Sequence, residues 1–125
     1  IRKALNLGHT VGHAFESLAL ERNTPILHGY AVAYGLLCEL YLSAVHMEFP
    51  IEQMRQTISF IRENYGPFAF DCKDYEHIYN TMLHDKKNVG GVINFTLLSD
   101  IGCIKLNQHL SKEDVFESFD FFREA

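Results

Sequence analysis

The sequence predicts a mainly α-helical domain, a helical bundle of about five helices with one small β-hairpin. Apolar residues recur at helical spacing in several segments, which is the pattern of amphipathic helices. The segment from Gly29 to Val45 is apolar on nearly every side, as expected of a helix with neighbours on several faces. Near residue 92 the pattern changes to a short alternating stretch rich in β-branched residues, which favours a strand. A length of 125 residues is that of one domain.

The first two predicted helices run from Leu5 to Leu20 and from His28 to Val45, with a proline in the connection that bars continuation. Gly29 and Gly35 lack a Cβ atom, so we expect them to permit close approach of the first helix to the second. If the two helices pack as antiparallel neighbours, His28 comes near the end or the middle of the first one.

The third predicted helix runs from Ile51 to Asn64, with Pro50 in an N1-type position at its start and Gly66-Pro67 at its end. The fourth runs from Tyr75 to about His84, and Asp74 before it is of a type that caps helix starts.

A turn at Gly90-Gly91 precedes a predicted strand from Val92 to Leu98, which we expect to pair with Ile101 to Leu106 as a hairpin. Ser111, followed three residues later by Asp114, resembles a capping box and predicts the start of the last helix, Lys112 to Arg123.

Composition and charge exclude several classes of protein. The net charge of −5, spread along the chain, argues against a nucleic-acid surface. Glu39 interrupts the longest apolar run, so no membrane span is expected.

The three cysteines, Cys38, Cys72 and Cys103, are odd in number and lack C-x-x-C spacing, which predicts buried free thiols. With no signal peptide visible, we expect a cytoplasmic protein.

The first residues enter a helical pattern without a cap, and no G-x-G-x-x-G motif occurs in the chain. We therefore expect this sequence to belong to a longer protein.

A polar stripe on the first predicted helix is the main functional signal. His9 and His13 stand four residues apart, so their imidazoles project from one face, and Arg2 and Asn6 continue that face backwards. Such a histidine pair alone is more typical of an exposed or hydrogen-bonded pair than of a metal site. His28 adds a third imidazole, and two imidazoles from different segments, completed by a carboxylate or water, suit a catalytic metal.

Four motifs carry a resemblance to a known family: L-N-L-G-H-T-V-G-H-A-F-E-S-L from Leu5 to Leu18, L-H-G-Y-A-V-A-Y-G-L from Leu27 to Leu36, D-K-K-N from Asp85 to Asn88, and L-L-S-D-I-G from Leu97 to Gly102. In this order they resemble the C-terminal helical domain of the 3-dehydroquinate synthase family. The H-x-x-x-H pair alone is less specific, because iron- or zinc-dependent alcohol and glycerol dehydrogenases of the same superfamily carry it.

The resemblance implies conversion of 3-deoxy-D-arabino-heptulosonate 7-phosphate to 3-dehydroquinate and phosphate, a step of the shikimate pathway. It implies that residues 1–125 are the C-terminal metal- and substrate-binding domain, that NAD is bound mainly by an N-terminal domain, and that the enzyme is a homodimer. It also implies that His9 and His28 bind zinc, or another divalent metal such as cobalt, with a third ligand, a glutamate, from the other domain.

The remaining roles come from the same resemblance. His13 and Asn6 match residues near the substrate phosphate, and Arg2 matches the arginine that holds the carboxylate. Lys86 or Lys87 matches a phosphate-binding lysine, although a lysine pair at a helix end is also typical of a solvated terminus.

The chain departs from the family pattern at Tyr30, where many members have glutamate after His28-Gly29. Glu16 and Glu39 are candidates for orienting the imidazoles. Two other hypotheses are another sugar-phosphate cyclase or metal-dependent polyol dehydrogenase, and a non-enzymatic helical interaction domain. For the 125 residues alone we expect weak zinc binding and no turnover.

Overall fold

The structure, a computed structural model, describes residues 7–85, 93–100 and 102–125. Within these ranges it confirms a mainly α-helical fold of five helices and one antiparallel two-stranded sheet. The elements are α1 (His9–Glu21), α2 (His28–His46), α3 (Ile51–Tyr65), α4 (Tyr75–Leu83), β1 (Phe95–Asp100), β2 (Cys103–Gln108) and α5 (Lys112–Glu124).

Helix α2 lies at the centre of the bundle and packs against α1, α3, α5 and β1. Its side chains are buried on several sides, among them Leu37, Cys38, Leu40 and Leu42, which explains why its sequence shows no polar face. None of the helices in the described part of the chain is long and apolar enough to cross a bilayer.

Helices α1 and α2 approach closely at glycines. A Cβ atom on Gly35 would lie 2.2 Å from the carbonyl oxygen of Gly8 and 2.4 Å from the amide nitrogen of Gly12, so only glycine fits there. The expectation for Gly35 is confirmed. The one for Gly29 is wrong, because a Cβ atom on Gly29 would meet no atom within 4 Å.

The predicted start of the first helix at Leu5 is also wrong. Leu7 and Gly8 form a turn, and α1 begins at His9. Gly8 has a φ of 84°, a left-handed conformation that favours glycine. Arg2 and Asn6, predicted to extend the polar stripe of this helix, lie outside the described residues.

Aromatic side chains pack α1 against α5 and against the loop that carries Phe70. Phe15, fully buried on α1, has its ring centroid 5.2 Å from that of Phe70 and 5.3 Å from that of Phe122 on α5. On α5, Val115, Phe119 and Phe122 are buried. The contacts of Phe15 anchor α1, the helix that carries His9 and His13.

The predicted caps had different outcomes. Ser111 and Asp114 form the expected capping box at α5. Asp74 does not cap α4 with its side chain. Instead it accepts a hydrogen bond from the amide of Asp71, in a capping box for the short 3-10 turn Cys72–Asp74. Pro50 is the N-cap residue of α3 and not its first residue.

The hairpin is confirmed, with both strands starting two or three residues later than predicted. The turn expected at Gly90-Gly91 lies outside the described residues. All three cysteines are free thiols. Only Cys38 is buried, and burial raises the pKa of its thiol, whereas Cys72 and Cys103 are exposed, contrary to expectation.

Candidate metal centre

Three imidazoles, those of His9, His13 and His28, converge at the α1–α2 interface. Their ring centroids are 5.4 Å apart for His9 and His13, 5.5 Å for His9 and His28, and 5.7 Å for His13 and His28. One nitrogen from each ring lies within 4.8 Å of the other two. The structure thus brings together the three histidines that the sequence singled out.

The packing of the two helices explains this convergence. His9 and His13 lie one turn apart on α1, and His28 is the first residue of α2. Successive residues of α2 contact α1 in reverse order, since His28 reaches Glu16 and Gly35 lies against Gly8 and Gly12. This arrangement is the antiparallel one that the sequence analysis expected.

Each imidazole has an acceptor near its Nδ1 atom. For His28 it is Oε1 of Glu16 at 2.9 Å, for His13 it is Oδ2 of Asp85 at 3.5 Å, and for His9 it is the carbonyl oxygen of Leu7 at 3.4 Å. In His9 and His28, a proton on Nδ1 that points to such an acceptor puts the lone pair on Nε2, which is then the ligand atom. The role suggested for Glu16 therefore agrees with the structure.

The donor set fits a divalent metal such as zinc or cobalt. Imidazole nitrogens about 2.0–2.1 Å from a tetrahedral zinc lie about 3.4 Å from one another, so rotation of the side chains of His9 and His28, whose nitrogens now lie within 4.8 Å, brings them to that spacing. The side chains of His13 and His28 are 39% and 54% exposed, which leaves one side of the cluster open for a further ligand. An open position is what a catalytic metal requires.

The other predicted site residues, Arg2, Asn6, Lys86 and Lys87, lie outside the described residues. Asp85, two residues after the end of α4, contacts His13, which places this end of α4 beside the imidazole cluster. A cleft of about 520 Å³ lies between α1 and α4 on this side, and its lining includes His13, Thr10, Ser17, Asn80 and Asp85.

The four remaining histidines lie outside the cluster, and each has a polar partner. Their partners are Asp114 for His46, Glu21 for His77, the carbonyl oxygen of Asn80 for His84, and Asn94 for His109. Tyr30, where many family members have glutamate, packs its ring against that of Tyr65 with centroids 4.9 Å apart.

Glu39, which the sequence suggested as a residue that orients an imidazole, accepts hydrogen bonds from the backbone amides of Gly8 and Val11. A charged residue inside an otherwise apolar helix was the signal available in the sequence, because such a residue is almost never fully buried without partners.

Comparison with known proteins gives consistent matches. The family model described as "3-dehydroquinate synthase C-terminal" matches residues 1–88. The chain is 54% identical over 125 residues to a 3-dehydroquinate synthase of Parabacteroides distasonis and covers 35% of that protein. It is 42% identical over 116 residues to one of Leptospira interrogans, with 92% of this chain and 31% of the relative covered. The chain thus spans about a third of the length of these curated relatives.

A solved structure shares the fold. A crystal structure of 2-deoxy-scyllo-inosose synthase, complexed with carbaglucose-6-phosphate, NAD+ and Co2+, superposes with a TM-score of 0.71 at 22% identity. The match covers 98% of this chain and 34% of that one.

Proposed function

Because this chain belongs to the 3-dehydroquinate synthase C-terminal family, we propose that it is the metal- and substrate-binding part of a 3-dehydroquinate synthase. The reaction is conversion of 3-deoxy-D-arabino-heptulosonate 7-phosphate to 3-dehydroquinate with release of phosphate. The observation that supports this proposal most strongly is the convergence of His9, His13 and His28, within 4.8 Å, in a chain that matches the family.

His9 and His28 hold the metal in this proposal, zinc or another divalent ion such as cobalt, with a further ligand from outside the chain. When bound, the metal lowers the pKa of a coordinated substrate hydroxyl and polarises the carbonyl formed from it. Glu16 orients the imidazole of His28, and the backbone at Leu7 orients that of His9.

His13 takes a different role, donating a hydrogen bond to a phosphate oxygen of the substrate. Its position beside the open cleft and its contact with Asp85 support this, since the cleft offers hydroxyl and amide donors as well. Asn6 and one of Lys86 and Lys87 add phosphate contacts, and Arg2 pairs with the substrate carboxylate, for which a planar guanidinium is suited.

The remaining parts of the proposal concern the rest of the enzyme. The relatives are about three times as long as this chain, so an N-terminal domain of the same protein supplies the NAD site and the third metal ligand. The enzyme is a homodimer in the cytoplasm, and its product feeds the chorismate pathway for aromatic amino acids. The 125 residues alone have no turnover.

The test is release of phosphate from the heptulosonate phosphate by the full-length protein, with NAD and zinc added. We expect His9→Ala to abolish release and Arg2→Ala to raise KM and lower kcat/KM. His109→Ala is the matched control, because this histidine pairs with Asn94 away from the cluster, and it should retain activity.

Two outcomes would contradict the proposal. Consumption of a sugar phosphate or a polyol by the wild type, without release of phosphate from the heptulosonate phosphate, would move the function to another cyclase or to a dehydrogenase. Absence of any turnover, with His9→Ala indistinguishable from wild type in metal content, would favour a non-enzymatic domain.

A further inference from the structure

Glu39 caps the start of α1 from a neighbouring helix. Its side chain is completely buried on α2, with Oε1 accepting from the amide of Gly8 at 2.8 Å and Oε2 from the amide of Val11 at 3.1 Å. Gly8 is the N-cap residue of α1 and Val11 is its third residue. These are the two amides that a capping box satisfies, and here one carboxylate satisfies both.

Neither residue of the usual capping pair can cap α1 with its own side chain. Gly8 has no side chain, and that of Val11 has no acceptor. A larger residue at position 8 is excluded, because a Cβ atom there would lie 2.7 Å from the carbonyl oxygen of Val32 and the φ of Gly8 is left-handed. The close approach of the two helices therefore prevents a local cap, and α2 supplies the acceptor instead.

We propose that Glu39 is a positioning residue for the metal centre. By tying the first turn of α1 to α2, it holds His9 where its imidazole meets those of His13 and His28. His9 is the first residue of α1 and lies between the two capped amides, and its Nδ1 contacts the carbonyl oxygen of Leu7 in the same turn. A shift of this turn displaces His9 most, because His13 lies a full turn further along the helix.

The test is Co2+ binding to the full-length protein, monitored through the d–d absorption of the bound ion. In Glu39→Gln the carboxamide keeps its shape but has a single acceptor oxygen, so at most one of the two amides stays capped. We expect the Kd for Co2+ to rise about 10- to 100-fold, as for other residues that orient ligands. The spectrum at saturation should shift toward that of His9→Ala.

Ser118→Ala is the matched control for a loss of stability alone. Ser118 is also fully buried, on α5, where its hydroxyl donates a hydrogen bond to the carbonyl oxygen of Val115 at 2.6 Å. We expect this variant to unfold more easily and to keep the wild-type Kd and spectrum. If it weakens Co2+ binding as much as Glu39→Gln does, or if folded Glu39→Gln binds like wild type, the inference is overturned.

Glu39→Asp carries the test if Glu39→Gln does not fold. It keeps both acceptor oxygens but is one methylene shorter, so the amides are reached only if the first turn of α1 moves. We expect a smaller rise in Kd and a spectral shift in the same direction, and a wild-type spectrum would contradict the inference. The inference rests on the proposed metal site. If wild type binds no Co2+, it is the proposed function that fails.

Discussion

The starts of α1 and α5 receive the same two capping hydrogen bonds from different places. At α5, Ser111 accepts from the amide of Asp114 at 3.1 Å, and Asp114 accepts from the amide of Ser111 at 3.3 Å. At α1, both acceptors belong to Glu39, which lies 31 residues after the N-cap. A local cap stabilises a helix by itself, whereas a cap from a neighbour also sets the position of the helix relative to that neighbour.

The difference agrees with what each helix carries. α1 holds His9 and His13, which have to meet His28 on α2, so its position matters to within a fraction of an ångström. α5 carries none of the predicted site residues and packs through apolar side chains in the core. The distinction between the two starts leads to three predictions.

Gly35→Ala should have the largest effect. A Cβ atom at this position would overlap backbone atoms of Gly8 and Gly12, which cannot move aside as a side chain can, so α1 and α2 must separate. We expect the free energy of unfolding, measured with urea, to fall by about 1–3 kcal/mol or more. Co2+ binding should weaken as well, because the separation moves His9 away from His28.

Gly29→Ala is the control for Gly35→Ala. It lies on the same helix, where a Cβ atom would meet no atom within 4 Å. The change should leave metal binding intact and raise stability by up to about 1 kcal/mol through helix propensity. Equal losses of stability in both variants would show that close packing at Gly35 is not the cause.

Glu16→Gln should have an intermediate effect, which is confined to the affinity for the metal. The carboxylate of Glu16 accepts from Nδ1 of His28 at 2.9 Å, and its removal loosens the orientation of that imidazole. Because both side chains are partly exposed, we expect the low end of the usual range, about a tenfold rise in Kd for Co2+.

Glu117→Gln on α5 is the matched change, since Glu117 accepts a hydrogen bond from the hydroxyl of Tyr41 at 3.0 Å and is remote from the cluster. A similar rise in Kd in this variant would assign the effect of Glu16→Gln to net charge and not to the orientation of His28.

Ser111→Ala should have the smallest effect. Loss of the exposed local cap should cost about 1 kcal/mol in urea unfolding and leave Co2+ affinity unchanged, because the start of α5 meets α2 at His46, at the opposite end of that helix from His28. A loss of metal affinity in this variant would mean that the two helix starts do not differ in the way argued above.

The elements that could be predicted from the sequence are those whose signals are local. Helical periodicity located all five helices, and the Ser111 and Asp114 pair located the start of α5 within a single turn. The four-residue spacing of His9 and His13 was sufficient to place both imidazoles on one face of α1.

The errors arose where a distant residue decides a local conformation. We expected α1 to begin at Leu5, because the apolar pattern continues there. Its observed start at His9 depends on Gly8, on the contact of Gly8 with Val32 and on Glu39. The amino-acid sequence therefore determined which imidazoles, helices and capping residues were available. Only the packing of α1 on α2 decided that Glu39 is a cap and that His28 joins the cluster, because both depend on contacts between residues far apart in the chain.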